Sequence, residues 1–109
     1  MAILFVLKGA DEGKRFELGD SVVTLGRDAN NSCRLHDTEA SRRHAELRPL
    51  PGGGYQIVDL GSSNGTFVQI EGEREFLLSR EEVVLRGRGQ FALGRSCANS
   101  PQVVSFVCI

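Results

Sequence analysis

The residues best equipped for chemistry are polar donors grouped in three short segments. Arg27 closes "LGR" (Leu25–Arg27), Ser41, Arg42 and Arg43 open "SRRHA" (Ser41–Ala45), and Ser63 and Asn64 sit inside "DLGSSNGTF" (Asp59–Phe67). A guanidinium, two or three hydroxyls and an amide form a donor set suited to a tetrahedral oxyanion. Arginine supplies a bidentate, charge-assisted contact. Serine hydroxyls and loop N–H groups add neutral donors, and glycine lets the backbone come close. A phosphorylated side chain, with about −1.5 to −2 charge and several strong acceptors, matches such a set without any need for catalysis.

Other chemistries fit less well. Ser41 and His44 are close in sequence, but no distinct acid partner accompanies them as a nucleophile and base would require. No catalytic residue is therefore assigned. Cys33, His36 and His44 can be drawn as a metal site. They lack a fourth ligand and the paired spacing of structural zinc, so no metal and no cofactor is expected.

The segment Gly61–Thr66 poses its own question. Asn-Gly between strand-like segments is a strong hairpin signal, because both central residues of a type I′ turn need φ > 0. A two-residue turn does not also require Gly61, Ser62 and Ser63. The surplus of hydroxyl and amide groups points to a turn that also contributes to a site.

These loops need a scaffold, and the chain reads as an all-β one. Strand-like segments lie near Ile3–Leu7, Arg15–Leu18, Val22–Gly26, Ser32–Leu35, Ala45–Arg48, Tyr55–Asp59, Thr66–Gln69, Phe76–Leu78, Val83–Leu85, Phe91–Leu93 and Val103–Cys108. Most mix β-branched or aromatic residues with polar ones, as half-buried strands do. Turn chemistry separates them, in "KGADEGK", "RDANNS", "RPLPGGG", "GSSNG", "GRGQ" and "CANSP". The one helical candidate is a single turn in "SREEVVL", capped by Ser79 with Glu82 at the capping-box position, and Val83 and Val84 favour strand there. Many short strands with regular turn signals mean a sandwich or barrel. Loops cluster at the ends of a sandwich, so segments distant in sequence can converge.

The chain has 109 residues, which suits one domain over 1–109, either a minimal protein or a domain cut from something longer. The net charge of −1, with a pI near 6.1, argues against general nucleic-acid or anionic-membrane binding. Cys33, Cys97 and Cys108 are odd in number and widely spaced, which points to a reducing, cytoplasmic setting rather than a disulfide framework. The apolar run Ala2–Leu7 is too short to span a membrane and has no basic segment before it, so it reads as a first strand.

Taken in order, "LGR", "SRRHA" and "DLGSSNGTFV" (Asp59–Val68) resemble the forkhead-associated (FHA) domain over nearly the whole chain. The resemblance implies a two-sheet β-sandwich of about eleven strands that binds phosphothreonine-containing protein segments through loops at one end, downstream of a Ser/Thr kinase. The bound segment would lie in another protein or in the same one. By motif position, Arg27 and Ser41 would grip the phosphate, and Ser63 would add a hydroxyl near it. Asn64 would hydrogen-bond the ligand backbone, and Arg42 would make a further ligand contact. Gly26, His44 and Gly65 would shape the loops, and Arg43 is expected to be solvated charge. The chain departs from the family after Val68, where Gln69-Ile70-Glu71-Gly72 replaces the common Asn-Gly and alters the hairpin that should support the binding loop. Glu39 is expected to disfavour an acidic residue three positions after the phosphothreonine. The rival reading keeps the sandwich as a phosphate-independent interaction or oligomerisation module, for which the trio Arg27, Ser41 and Asn64 would be superfluous.

Overall fold

The computed structural model describes residues 2–78 and 82–108. They form eleven strands: β1 (Ala2–Lys8), β2 (Arg15–Leu18), β3 (Val23–Gly26), β4 (Cys33–Arg34), β5 (Ala45–Pro49), β6 (Tyr55–Asp59), β7 (Thr66–Ile70), β8 (Phe76–Leu78), β9 (Glu82–Leu85), β10 (Gly87–Leu93) and β11 (Val103–Cys108). A six-stranded sheet has the order β2-β1-β11-β10-β7-β8, and a five-stranded sheet the order β4-β3-β5-β6-β9. All pairings are antiparallel except β3 with β4. The expected all-β, two-sheet sandwich is what the chain forms.

Period-two alternation directs the packing. On β1, Ala2, Leu4 and Val6 are buried while Phe5 and Leu7 remain exposed. Leu4, Val6, Phe91, Leu93, Val104 and Phe106 of the larger sheet meet Leu25, Leu47, Ile57 and Leu85 of the smaller in one core. Fully burying a side chain of this size contributes about 1.5–3 kcal/mol. All three cysteines are buried and unpaired.

Three expectations need correction or placement. "GRGQ" is not a turn, because Gly87–Gln90 is the first half of β10 and pairs with β11 and β7. At Gly89 any side chain would run into the Gln69 carbonyl and the Phe106 ring. Here glycine serves close strand packing rather than reversal. Asn64-Gly65 does not close a hairpin, since β6 and β7 belong to different sheets. Gly65 does hold the left-handed conformation, at φ 84°, but the segment carries the chain across the sandwich. The Ser79-capped turn falls on residues 79–81, outside the described residues, and Glu82 opens β9.

Candidate functional site at one end of the sandwich

The β3–β4 and β4–β5 loops and the β6–β7 crossover converge at one end. The join between the first two begins at Gly26, where a Cβ would collide with the Arg42 carbonyl. This close approach lets two backbone bonds form across it. The Arg27 N–H donates to the Ser41 carbonyl at 3.1 Å, and the Asp28 N–H to the Arg42 carbonyl at 3.0 Å. The Asn31 side-chain amide reinforces the join, donating to the carbonyls of Asp28 and Arg42. Arg27 is exposed, and its Nε donates to the Ala40 carbonyl at 3.2 Å. The guanidinium is thus anchored at one edge while its terminal nitrogens remain available for a bidentate contact.

The crossover is fastened from several directions. Asp59 accepts from the N–H groups of Gly61 and Ser62 and from the hydroxyls of Ser62 and Thr66. Burial raises this carboxyl, but the bonds from Ser62 and Thr66 outweigh it and hold the group below its ordinary value. Ser62 Oγ in turn accepts the Gly65 N–H at 2.9 Å. Ser62 is therefore a structural hydroxyl, and part of the surplus that the sequence offers as ligand donors is spent on the turn itself. Ser63 and Asn64 are exposed beyond it. The Ser63 N–H donates to Ser41 Oγ at 3.1 Å, and Asn64 Nδ2 to the Glu39 carbonyl at 3.3 Å. Ser41 accepts through its oxygen and so keeps its hydroxyl proton for a ligand.

His44 ties the two loops together and is fully buried. Its Nδ1 accepts the Ser41 N–H at 3.0 Å, and its Nε2 lies 2.8 Å from the Gly65 carbonyl. Nδ1 must be unprotonated to accept, so Nε2 carries the proton and donates. Burial pushes the imidazole below its ordinary value, against the opposing pull of the Gly65 carbonyl and the carboxylates of Asp59 and Asp37. The neutral ring thus has both nitrogens bonded to backbone, one in each loop. Among the described residues no group of three or more His, Cys, Asp or Glu is placed to hold a metal. Gly65 is buried, and Leu77 Cδ1 lies 2.6 Å from where its Cβ would be. The altered hairpin after Val68 thus still supports the crossover, through β8.

Several supporting residues lie outside the three motifs. Gly94 donates its N–H to the Gly65 carbonyl at 2.9 Å. Arg95 pairs with Glu39 at 3.1 Å, which offsets the charge on which the expected rejection of acidic ligands depends. Asp11, from the β1–β2 turn, accepts from the His36 N–H at 2.6 Å, from Gln102 Nε2 at 3.0 Å and from Lys14 Nζ at 3.0 Å, and it lies 2.7 Å from His36 Nδ1. Burial raises its carboxyl, but these bonds, those of His36 foremost, hold it well below the usual carboxylate range. This knot anchors the start of the β4–β5 loop. Asp11 and Gln102 are 91 residues apart, and no local pattern announces their contact.

The FHA domain family model matches residues 23–97. The chain is 40% identical over 87 residues to the glycogen accumulation regulator GarA of Mycolicibacterium smegmatis, covering 80% of this chain and 54% of that protein. It is 38% identical over 87 residues to the oxoglutarate dehydrogenase inhibitor of Corynebacterium jeikeium, covering 80% and 60%. The chain therefore spans little more than half the length of these curated relatives. It also superposes on a solved structure of phosphothreonine-dependent FHA domain interactions, with a TM-score of 0.73, 26% identity, and coverage of 97% of this chain and 94% of that one. With the family model spanning residues 23–97 of the 109 and the relatives aligned over four-fifths of the chain, this protein belongs to the FHA domain family of phosphothreonine-binding modules.

Proposed function

We propose that this domain binds phosphothreonine-containing protein segments through Arg27, Ser41, Arg42, Ser63 and Asn64, and that it acts by docking rather than by catalysis. Arg27 and Ser41 grip the phosphate, and Ser63 supplies a donor beside it. Asn64 meets the ligand backbone, and Arg42 adds a further contact. Gly26, His44 and Gly65 hold the loops in shape. The observation that carries this reading is the fastening of an exposed guanidinium to a serine loop. The Arg27 N–H is bonded to the Ser41 carbonyl, and Ser41 Oγ to the Ser63 N–H, so the donors are positioned before a ligand arrives.

The partner is a phosphoprotein, in trans or in cis, marked by a Ser/Thr kinase. Three unpaired, buried thiols support a reducing, cytoplasmic setting. The relatives' names, a regulator and an inhibitor, support a role for the domain in controlling a partner enzyme from within a longer protein.

Calorimetric titration with a phosphothreonine peptide and its unphosphorylated twin tests the reading. Micromolar or tighter binding of the phosphorylated form alone is expected. Arg27→Ala should weaken it by about 2–5 kcal/mol, the cost of truncating one side of a close charge pair. Equal binding of the two peptides would overturn the reading in favour of phosphate-independent docking.

A further inference from the structure

Four arginines gather where β3, β4 and β5 meet. Arg34 sits beside Gly26 in register and donates its Nε to the Arg27 carbonyl at 3.1 Å. Arg42 and Arg43 follow Ser41 directly. All four side chains are exposed, and among the described residues none of them forms an ion pair. Of the other described arginines, Arg15, Arg48 and Arg95 meet Glu17, Glu46 and Glu39, while Arg74, Arg86 and Arg88 form no ion pair among the described residues.

Arg43 lines a cleft of about 330 Å³ with Thr24, Asp28, Asn30 and Asn31. Asp28 is the one carboxylate there, and its Oδ1 is occupied by the Asn30 N–H at 3.1 Å. Glu39 is matched by Arg95. Asp37 is buried and lines a different cleft with His36, Thr38 and Gln102. Set against Asp28, the four guanidiniums leave three positive charges. A phosphate of about −1.5 to −2 leaves roughly one of them uncompensated. The chain as a whole carries −1, so this excess is local.

We propose that the Arg43 cleft is a second anion subsite, which takes a carboxylate or phosphate carried on the same segment as the phosphothreonine. This rests on the phosphothreonine reading and adds a preference to it. The backbone from Ser41 to Arg43 spans at most about 7 Å, the length of two residues of an extended peptide. The second anion therefore lies within about three residues of the phosphothreonine, once the reach of the Arg43 side chain is included. Thr24 Oγ1 accepts the Ser32 N–H and retains its own proton to donate into the cleft. The Asn31 amide is committed to the Asp28 and Arg42 carbonyls, so it forms a wall.

The test scans a single Asp, and separately a single phosphoserine, through the positions flanking the phosphothreonine of an otherwise neutral peptide. At one position Asp should tighten binding about two- to fivefold, as an exposed ion pair does, and phosphoserine by more. Arg43→Gln should abolish that gain, leave the neutral phosphopeptide within about twofold of its original affinity, and leave the unfolding midpoint unchanged. Arg34→Gln, in the same arginine group but outside the cleft lining, should reduce the gain only in part. If no position shows a gain, or the gain survives Arg43→Gln, the subsite does not exist. A gain abolished by Arg95→Gln instead would place the preference beside Glu39 and overturn the assignment. If no phosphopeptide binds at all, the phosphothreonine reading fails and takes the subsite with it.

Discussion

His44→Asn separates a structural imidazole from every other titrating group in the domain. Asparagine keeps an acceptor for the Ser41 N–H but cannot reach the Gly65 carbonyl, and it removes the proton equilibrium. Gly65 retains the Gly94 N–H, so near pH 8 the variant loses one hydrogen bond and part of a ring. That is about 1–3 kcal/mol of stability. The pH dependence is more telling. The folded pKa of His44 lies below its ordinary value, so below about pH 6.5 the unfolded chain takes up a proton that the fold refuses. Stability from this residue is whole above about pH 6.5 and declines as the pH falls towards the folded value. At pH 5.5 the decline reaches up to about 1.4 kcal/mol. Urea unfolding of both proteins between pH 8 and pH 5.5 isolates it, because every other ionisable side chain is common to both. The gap between wild type and variant should narrow as the pH falls. A gap that stays constant would refute the neutral, refused-proton assignment. Unfolding is the better readout, since phosphate itself titrates near pH 6 and would confound affinity.

Two further outcomes are expected. Gly26→Ala should destabilise the fold by about 1–3 kcal/mol by overpacking and weaken a phosphothreonine peptide about tenfold, the loss of one charge-assisted bond. Denaturation and titration that both match wild type would remove the Gly26–Arg42 contact from the account. Asp11→Asn faces the His36 N–H with a donor or loses a bond elsewhere in the knot, at about 1–3 kcal/mol. Amide exchange of residues 36–40 should quicken, whereas unchanged protection there would show that the knot does not anchor the loop.

The strands were legible because their cues are local. Alternation in Ala2–Lys8 and β-branched pairs such as Val103-Val104 declare extended backbone, and clusters of Gly, Asn and Asp declare its ends. Gly87 and Gly89 misled because glycine marks a turn and a tight interstrand approach in the same way. Asn64-Gly65 misled for a related reason. Its preference concerns φ, and φ does not say which sheet the next strand will join. The motifs identified Arg27, Ser41, Ser63 and Asn64 as one group, and those loops do converge. The sequence does not distinguish Ser62 from Ser63, one turned into the Asp59 carboxylate and the other outward. Nor does it disclose that Glu39 has Arg95 as a partner 56 residues later. Such pairings depend on topology, which no window of neighbours encodes.

The larger sheet has the order β2-β1-β11-β10-β7-β8, and that order bears on how the domain is made. During synthesis the β1–β2 hairpin precedes the other nine strands and has no strand to lie against except β11, the latest of the eleven. β10 and β7 can pair with each other beforehand, but the slot between β1 and β10 stays open until Val103–Cys108 arrives with Val104, Phe106 and Cys108 for the core. A nascent chain can therefore carry every residue of the three motifs, with β10 already paired to β7, and still lack the strand that joins β1 and β2 to the rest of the larger sheet.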